Sequence, residues 1–287
     1  MEEYISDNSL YIRSKNNSMI NRKMIGRVLG MLLFIELGMF LLCAGVSAGY
    51  GESDYKYFLY TCIINAVVGG LLLLYGRGAE NKMSRRDGYC VVTLSWVFFT
   101  FFGMLPFYFS GSIDTITNAF FETMSGFTTT GATILDDIES LSHGMLFWRS
   151  LTQWIGGLGI VFFTIAILPI FTTGGVQLFS AESTGVTHDR THPKINVMAK
   201  WLWTIYLVLT VSETVLLMFG GMSLFDAICQ SFATTATGGY STKQNSISYW
   251  NSPYHRICGG YLYDCFQYQL LFVSDVFERK SRSFIQR

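Results

Sequence analysis

The chain has 287 residues, of which 50% are hydrophobic and only 14% charged, whereas soluble domains average about 25% charged residues, so an ordinary soluble domain is excluded. Twenty basic and twenty acidic residues cancel, which leaves no excess positive charge to attract nucleic acid. The six cysteines, Cys43, Cys62, Cys90, Cys229, Cys258 and Cys265, match no zinc or thioredoxin spacing and read as buried thiols.

Residues 1–23 are polar, and the apolar run that follows is too long for a signal-peptide core, so no cleavable leader is expected. Five apolar runs are long enough to cross a hydrocarbon layer of about 30 Å: Met24–Gly49, Tyr57–Tyr75, Tyr89–Phe109, Met145–Phe171 and Val197–Gly220. Basic flanks set their orientation, because short cytoplasmic segments retain Lys and Arg. Arg13, Lys15, Arg22, Lys23 and Arg27 stand at the start of the first run, and Arg77, Lys82, Arg85 and Arg86 follow the second. Both ends are expected inside. Ser110–Gly144 has no Lys or Arg but carries Asp114, Glu122, Asp136, Asp137 and Glu139, and is expected outside. Residues 172–196, with Arg190 and Lys194, return to the cytoplasmic side.

Between the third and fourth runs, Ile116–Phe127 is apolar but too short to cross, which predicts a re-entrant half-helix. Its carboxyl end leads into Thr128-Thr129-Thr130-Gly131-Ala132-Thr133. Polar backbone at membrane depth must be covered by protein or line a water-filled path. Thr and Gly offer carbonyl and hydroxyl oxygens that can replace a cation's water shell, and a helix C-terminus adds partial negative charge. The device recurs. A shift of 108 residues aligns Asn118 with Asp226, Ala119 with Ala227, Thr129 with Thr237 and Gly131 with Gly239, so Leu224–Thr235 is a second short helix before Ala236-Thr237-Gly238-Gly239-Tyr240-Ser241-Thr242. A mere helix-packing surface would also use small residues, but not twice at the end of a short helix.

Other motifs are weaker. Gly156-Gly157-Leu158-Gly159 follows no strand and is expected to pack helices rather than bind a dinucleotide. His188 and His192 have no third ligand nearby and read as loop. Glu36 and Glu213 lie within spans, where packing against a polar neighbour competes with a role on the ion path. Asp136, Asp137 and Glu139 either concentrate cations outside or form a solvated loop. Arg149 either bonds filter carbonyls or anchors at the interface. No nucleophile–base pair or metal triad occurs in the spans, and no enzyme is expected.

The run Phe120-Phe121-Glu122-Thr123-Met124-Ser125-Gly126-Phe127-Thr128-Thr129-Thr130-Gly131-Ala132-Thr133, with Phe147-Trp148-Arg149-Ser150-Leu151-Thr152-Gln153-Trp154-Ile155-Gly156-Gly157-Leu158-Gly159, resembles the TrkH branch of the Trk/Ktr/HKT potassium transporters. The resemblance extends from the first span to about Tyr254. It implies an all-α membrane protein with two N-terminal helices followed by helix, pore helix, filter and helix repeats, four of which surround one pore in that family. Thr129, Thr130 and Gly131 then belong to the first filter strand, and Thr237, Gly238 and Gly239 to the second; Arg149, Asp136 and Asp137 are supporting candidates, with the alternative given above for each left open. Potassium is the transported ion, with no further cofactor. The resemblance also implies membrane lipid around the chain, a cytosolic nucleotide-binding regulator of TrkA type, a homodimer, and a bacterial inner-membrane location with residues 1–23 inside.

On this basis residues 24–86 hold the two N-terminal helices, 87–171 the first pore repeat, 172–196 a cytoplasmic loop and 197–254 a second, incomplete repeat. Residues 255–287 depart from the pattern: polar, cysteine-bearing sequence stands where a closing apolar helix is expected. A frameshift or early stop accounts for that, and the alternative function is then a non-conducting or regulatory fragment of such a transporter.

Overall fold

The computed structural model describes residues 20–79, 85–159 and 192–251 together with Tyr254 and Gly260, and of Arg85 and residues 192–202 only the backbone. Among them every regular element is helical: α1 (Arg22–Gly49), α2 (Tyr55–Tyr75), α3 (Arg85–Gly103), α4 (Leu105–Phe109), α5 (Ile116–Phe127), α6 (His143–Gly157), α7 (His192–Phe219), α8 (Leu224–Thr235), and a 3-10 turn at Ser246–Trp250. Residues 160–171, the latter half of the expected fourth span, lie outside the described residues, as does most of residues 255–287.

Helix α1 is the hub, packed along α2 and also against α3 and α6. Its start is held by the Asn21 side chain, which accepts from the Met24 N–H at 3.1 Å, while the Asn21 N–H donates to Asp87 of α3 at 2.8 Å. The α1–α2 crossing needs small residues, since a Cβ on Gly30 would stand 2.9 Å from the Gly69 carbonyl oxygen. Beneath α1 lies an aromatic core: the Phe40 ring centroid is 4.6 Å from that of Trp148 of α6 in a tilted contact, and Trp148 meets Phe127 of α5 edge-on at 6.0 Å. Outward positions are apolar as well. Leu42, Ile63, Val67, Leu71 and Val211 are all exposed, as expected of faces that meet lipid rather than water.

Three helical stretches among the described residues are long and apolar enough to cross a membrane: Arg22–Gly49, Tyr55–Tyr75 and Arg86–Phe109. The third contains the expected run Tyr89–Phe109, and its helix is interrupted at Met104. Pro106 has no N–H to give the preceding turn, and the Gly103 carbonyl accepts from the Trp148 indole at 2.8 Å, so the chain breaks at Met104. Helix α7 corrects a boundary. Residues 192–196 were expected in a loop, but the helix begins at His192, with Pro193 in its first turn, where a missing N–H costs no intrahelical bond.

Candidate functional site

Helices α5 and α8 are built alike, residue for residue at the 108 spacing. Thr115 caps the first by accepting from the Asn118 N–H at 3.2 Å, and Ser223 caps the second by accepting from the Asp226 N–H at 3.1 Å. Both end in the same hydrogen-bonded turn. In α5 the N–H of Thr129 donates to Gly126 and that of Thr130 to Ser125, each at 3.0 Å. In α8 the N–H of Thr237 donates to Thr234 and that of Gly238 to Ala233, each at 2.8 Å. This is a Schellman ending, which requires a left-handed residue just past the helix and usually has Gly there. Here it is Thr twice, at φ 54° for Thr129 and 53° for Thr237. A β-branched residue in that region is strained by roughly 1–3 kcal/mol. Gly131 and Gly239 are left-handed in turn, at φ 74° and 82°.

The two loops lie side by side. A Cβ on Gly131 would overlap the Gly238 carbonyl oxygen, and a Cβ on Gly238 would overlap the Gln153 amide from α6. Gln153 Oε1 accepts from the Tyr240 N–H at 3.0 Å. Thr128, Thr130, Thr237 and Gly239 are exposed, Thr129 and Gly131 half-buried, and Gly238 buried. The hydroxyls of Thr128 and Thr130 are 2.8 Å apart. Oxygen-rich backbone from both loops therefore converges at one open place, at the carboxyl ends of two short helices.

Glu122, one of the acidic residues of Ser110–Gly144, is buried. It is 1% exposed on α5, where its carboxylate accepts from Arg149 Nε at 2.8 Å, from the Thr133 hydroxyl at 2.9 Å and from the Ile134 N–H at 3.0 Å. Arg149 is 2% exposed, and its Nη1 donates to the Ser241 carbonyl at 3.0 Å. Of the two expected roles, this burial leaves no interfacial anchor. Tyr240 places its ring 3.5 Å from the guanidinium and donates its hydroxyl to the Glu122 carbonyl at 2.8 Å. Sequence reasoning did not single out Glu122, Gln153 or Tyr240. The available signal was Glu122 itself, a charge within an apolar helix aligned with Gln230.

Asp136 and Asp137 are exposed on the segment that leaves the first loop, and Asp137 accepts from the Glu139 N–H at 3.1 Å. The exits of the two loops are tied together there: the Ile138 N–H donates to Gln244 at 3.1 Å, and Lys243 stands 3.5 Å from Glu139. Below them, Glu52 accepts from the N–H groups of His143 and Gly144 at 2.8 and 3.3 Å, capping α6, and Tyr50 stacks on the His143 ring. Burial alone would raise the Glu52 carboxyl, but these hydrogen bonds outweigh it and hold the group below its ordinary value. Glu36 and Glu213 are buried in α1 and α7; Glu36 accepts from the Asn65 amide at 3.0 Å, and Glu213 stands beside Thr234 and Thr235 at the end of α8. Among the described residues, no group of His, Cys, Asp and Glu is arranged to hold a metal ion.

The family described as TrkH, cation transport protein, matches residues 55–262. The chain belongs to the TrkH family. The Trk system potassium uptake protein TrkH of Escherichia coli K12 is 42% identical over 231 residues, which are 80% of this chain and 48% of that protein. TrkH of Halomonas elongata is 37% identical over 256 residues, 88% of this chain and 53% of that protein. The crystal structure of the potassium transporter TrkH from Vibrio parahaemolyticus superimposes with a TM-score of 0.72 at 33% identity, covering 85% of this chain and 49% of that one. The chain thus spans about half the length of the TrkH relatives it matches, which are named as potassium uptake proteins.

Proposed function

We propose that this chain contributes two filter strands to a potassium uptake pathway, the ion exchanging its water shell for oxygens of Thr129, Thr130, Gly131, Thr237, Gly238 and Gly239. The observation that carries this is the repetition of one unusual backbone: a strained left-handed Thr and, two residues later, a left-handed Gly, at the ends of both α5 and α8. Strain of this kind persists where the surroundings over-determine it, and it concentrates at ligand sites. Left-handed residues spaced two apart also interrupt the alternation of an extended strand, which favours carbonyls gathered on one side. The partial negative charge of two helix C-termini suits a cation. Asp136 and Asp137 add negative charge outside, which raises the local cation concentration.

The setting follows the same reading. The chain lies in a bacterial inner membrane with residues 1–23 inside, pairs with a second copy, and works with a cytosolic nucleotide-binding regulator of TrkA type. The name Trk system potassium uptake protein, borne by its relatives, supports a system of several components. In lipid nanodiscs, potassium is expected to raise the unfolding temperature more than sodium at equal ionic strength. Equal effects of the two ions would refute the potassium site. In a background lacking the native cysteines, a cysteine at Asp137 should react with an impermeant thiol reagent from outside, and one at Arg85 should not. The reverse labelling would overturn the orientation.

A further inference from the structure

We propose that Arg149 is a positioning residue of the candidate filter, holding the second loop to the first pore helix so that the two strands keep one register. This rests on the potassium-filter reading above and names the side chain on which the spacing of the strands depends.

The geometry singles out matched positions. Glu122 receives the hydroxyl of Thr133, and Arg149 donates to the carbonyl of Ser241; these two residues are equivalents at the 108 spacing. Tyr240 donates to the Glu122 carbonyl at 2.8 Å and to the Ala132 carbonyl at 3.3 Å, and Ala132 and Tyr240 are again equivalents. One buried ion pair and the ring packed on its guanidinium thus pin the same point just beyond the glycine of each strand. A guanidinium suits this role because its donors form a rigid fork: Nε is committed to Glu122 while Nη1 reaches Ser241, and the flat face lies on Tyr240. A lysine has its three donors on one nitrogen and no flat face, so it cannot reproduce the separated Nε and Nη1 contacts together with the packing on Tyr240.

Among the described residues the clasp occurs once. On α8 the residue matching Glu122 is Gln230, whose buried Oε1 has no donor among the described residues. Burying an ion pair is a poor route to stability, because desolvation offsets the attraction, and apolar replacements of similar volume are often as stable. Here the pair spans α5 and α6, and each member also bonds backbone just beyond a loop, Glu122 at Ile134 and Arg149 at Ser241, which is the pattern expected of a group kept for register.

The test compares the whole chain in nanodiscs with Arg149→Gln and Arg149→Lys by two measurements, amide hydrogen exchange and the potassium-over-sodium difference in thermal protection. In both variants the amides of Ile134, Tyr240 and Ser241 should exchange at least about tenfold faster, with α1 and α2 unchanged, and potassium preference should fall by about tenfold, equivalent to about 1.4 kcal/mol. Should Arg149→Gln fail to fold, Arg149→Lys carries the test, since it keeps the charge and lacks only the fork. Unaltered local exchange and wild-type preference in Arg149→Lys would overturn the proposal, as would faster exchange spread evenly over α1 and α2. Local loosening in the variants, with no potassium preference even in the wild type, would keep the clasp and remove the potassium reading instead.

Discussion

Replacing Gly131 by Ala, beside the same change at Gly239, separates two costs that the loops combine. Both glycines are left-handed, at φ 74° and 82°, so either substitution incurs the backbone penalty of about 1–2 kcal/mol for an L-residue in that region. Only Gly131 adds a collision. Its Cβ would overlap the Gly238 carbonyl oxygen, whereas a Cβ on Gly239 has nothing within 4 Å. Overpacking in a rigid site costs typically about 1–3 kcal/mol, so Gly131→Ala should destabilise by roughly 2–5 kcal/mol and Gly239→Ala by roughly 1–2. At roughly 2–4 °C per kcal/mol, the first should lower the unfolding temperature several degrees more than the second. Scanning fluorimetry of the purified chain measures this. Because relief requires Gly238 to move, Gly131→Ala or Gly131→Ser should also weaken potassium-over-sodium protection. If Gly131→Ala is no more destabilising than Gly239→Ala, the two loops do not meet as described.

At Thr129, substitution by Gly should leave stability within about 1 kcal/mol, because relief of the left-handed strain is offset by the freer unfolded chain, yet potassium protection should fall with the lost hydroxyl. A large loss of stability would show that the Thr side chain, not the backbone, holds this turn. Glu52 makes a pH-dependent contribution. Its hydrogen bonds from His143 and Gly144 keep it below its ordinary value, so its stabilisation is present above about pH 4.3, the unfolded-state value, and is lost as pH falls through the lower folded one. Acid unfolding curves of Glu52→Gln should lack that part of the decline. Identical curves for variant and wild type would remove Glu52 as the source.

The two short helices α5 and α8 were legible to the residue. Ile116–Phe127 and Leu224–Thr235 are bounded by an oxygen-bearing cap on one side and a Thr/Gly run on the other, and these are local signals that the backbone obeys wherever the segment sits. The 108-residue correspondence was equally visible, and the structure gives both loops one conformation. The break at Met104 was harder to see, although Pro106 hinted at it, because it also depends on the Trp148 indole reaching Gly103 from 45 residues away.

What the sequence determined by itself, then, is membrane composition, helical content and two copies of a polar loop after a short helix, because apolar run length, caps and glycine act within a few residues of where they stand. Only the tertiary structure brought Gly131 against Gly238, turned Glu122 inward, and set Arg149 between partners 27 and 92 residues distant in the chain. No local pattern encodes those meetings. They arise because a buried charge or carbonyl must find a partner when the helices pack, and which partner it finds is set by how α5, α6 and α8 come together.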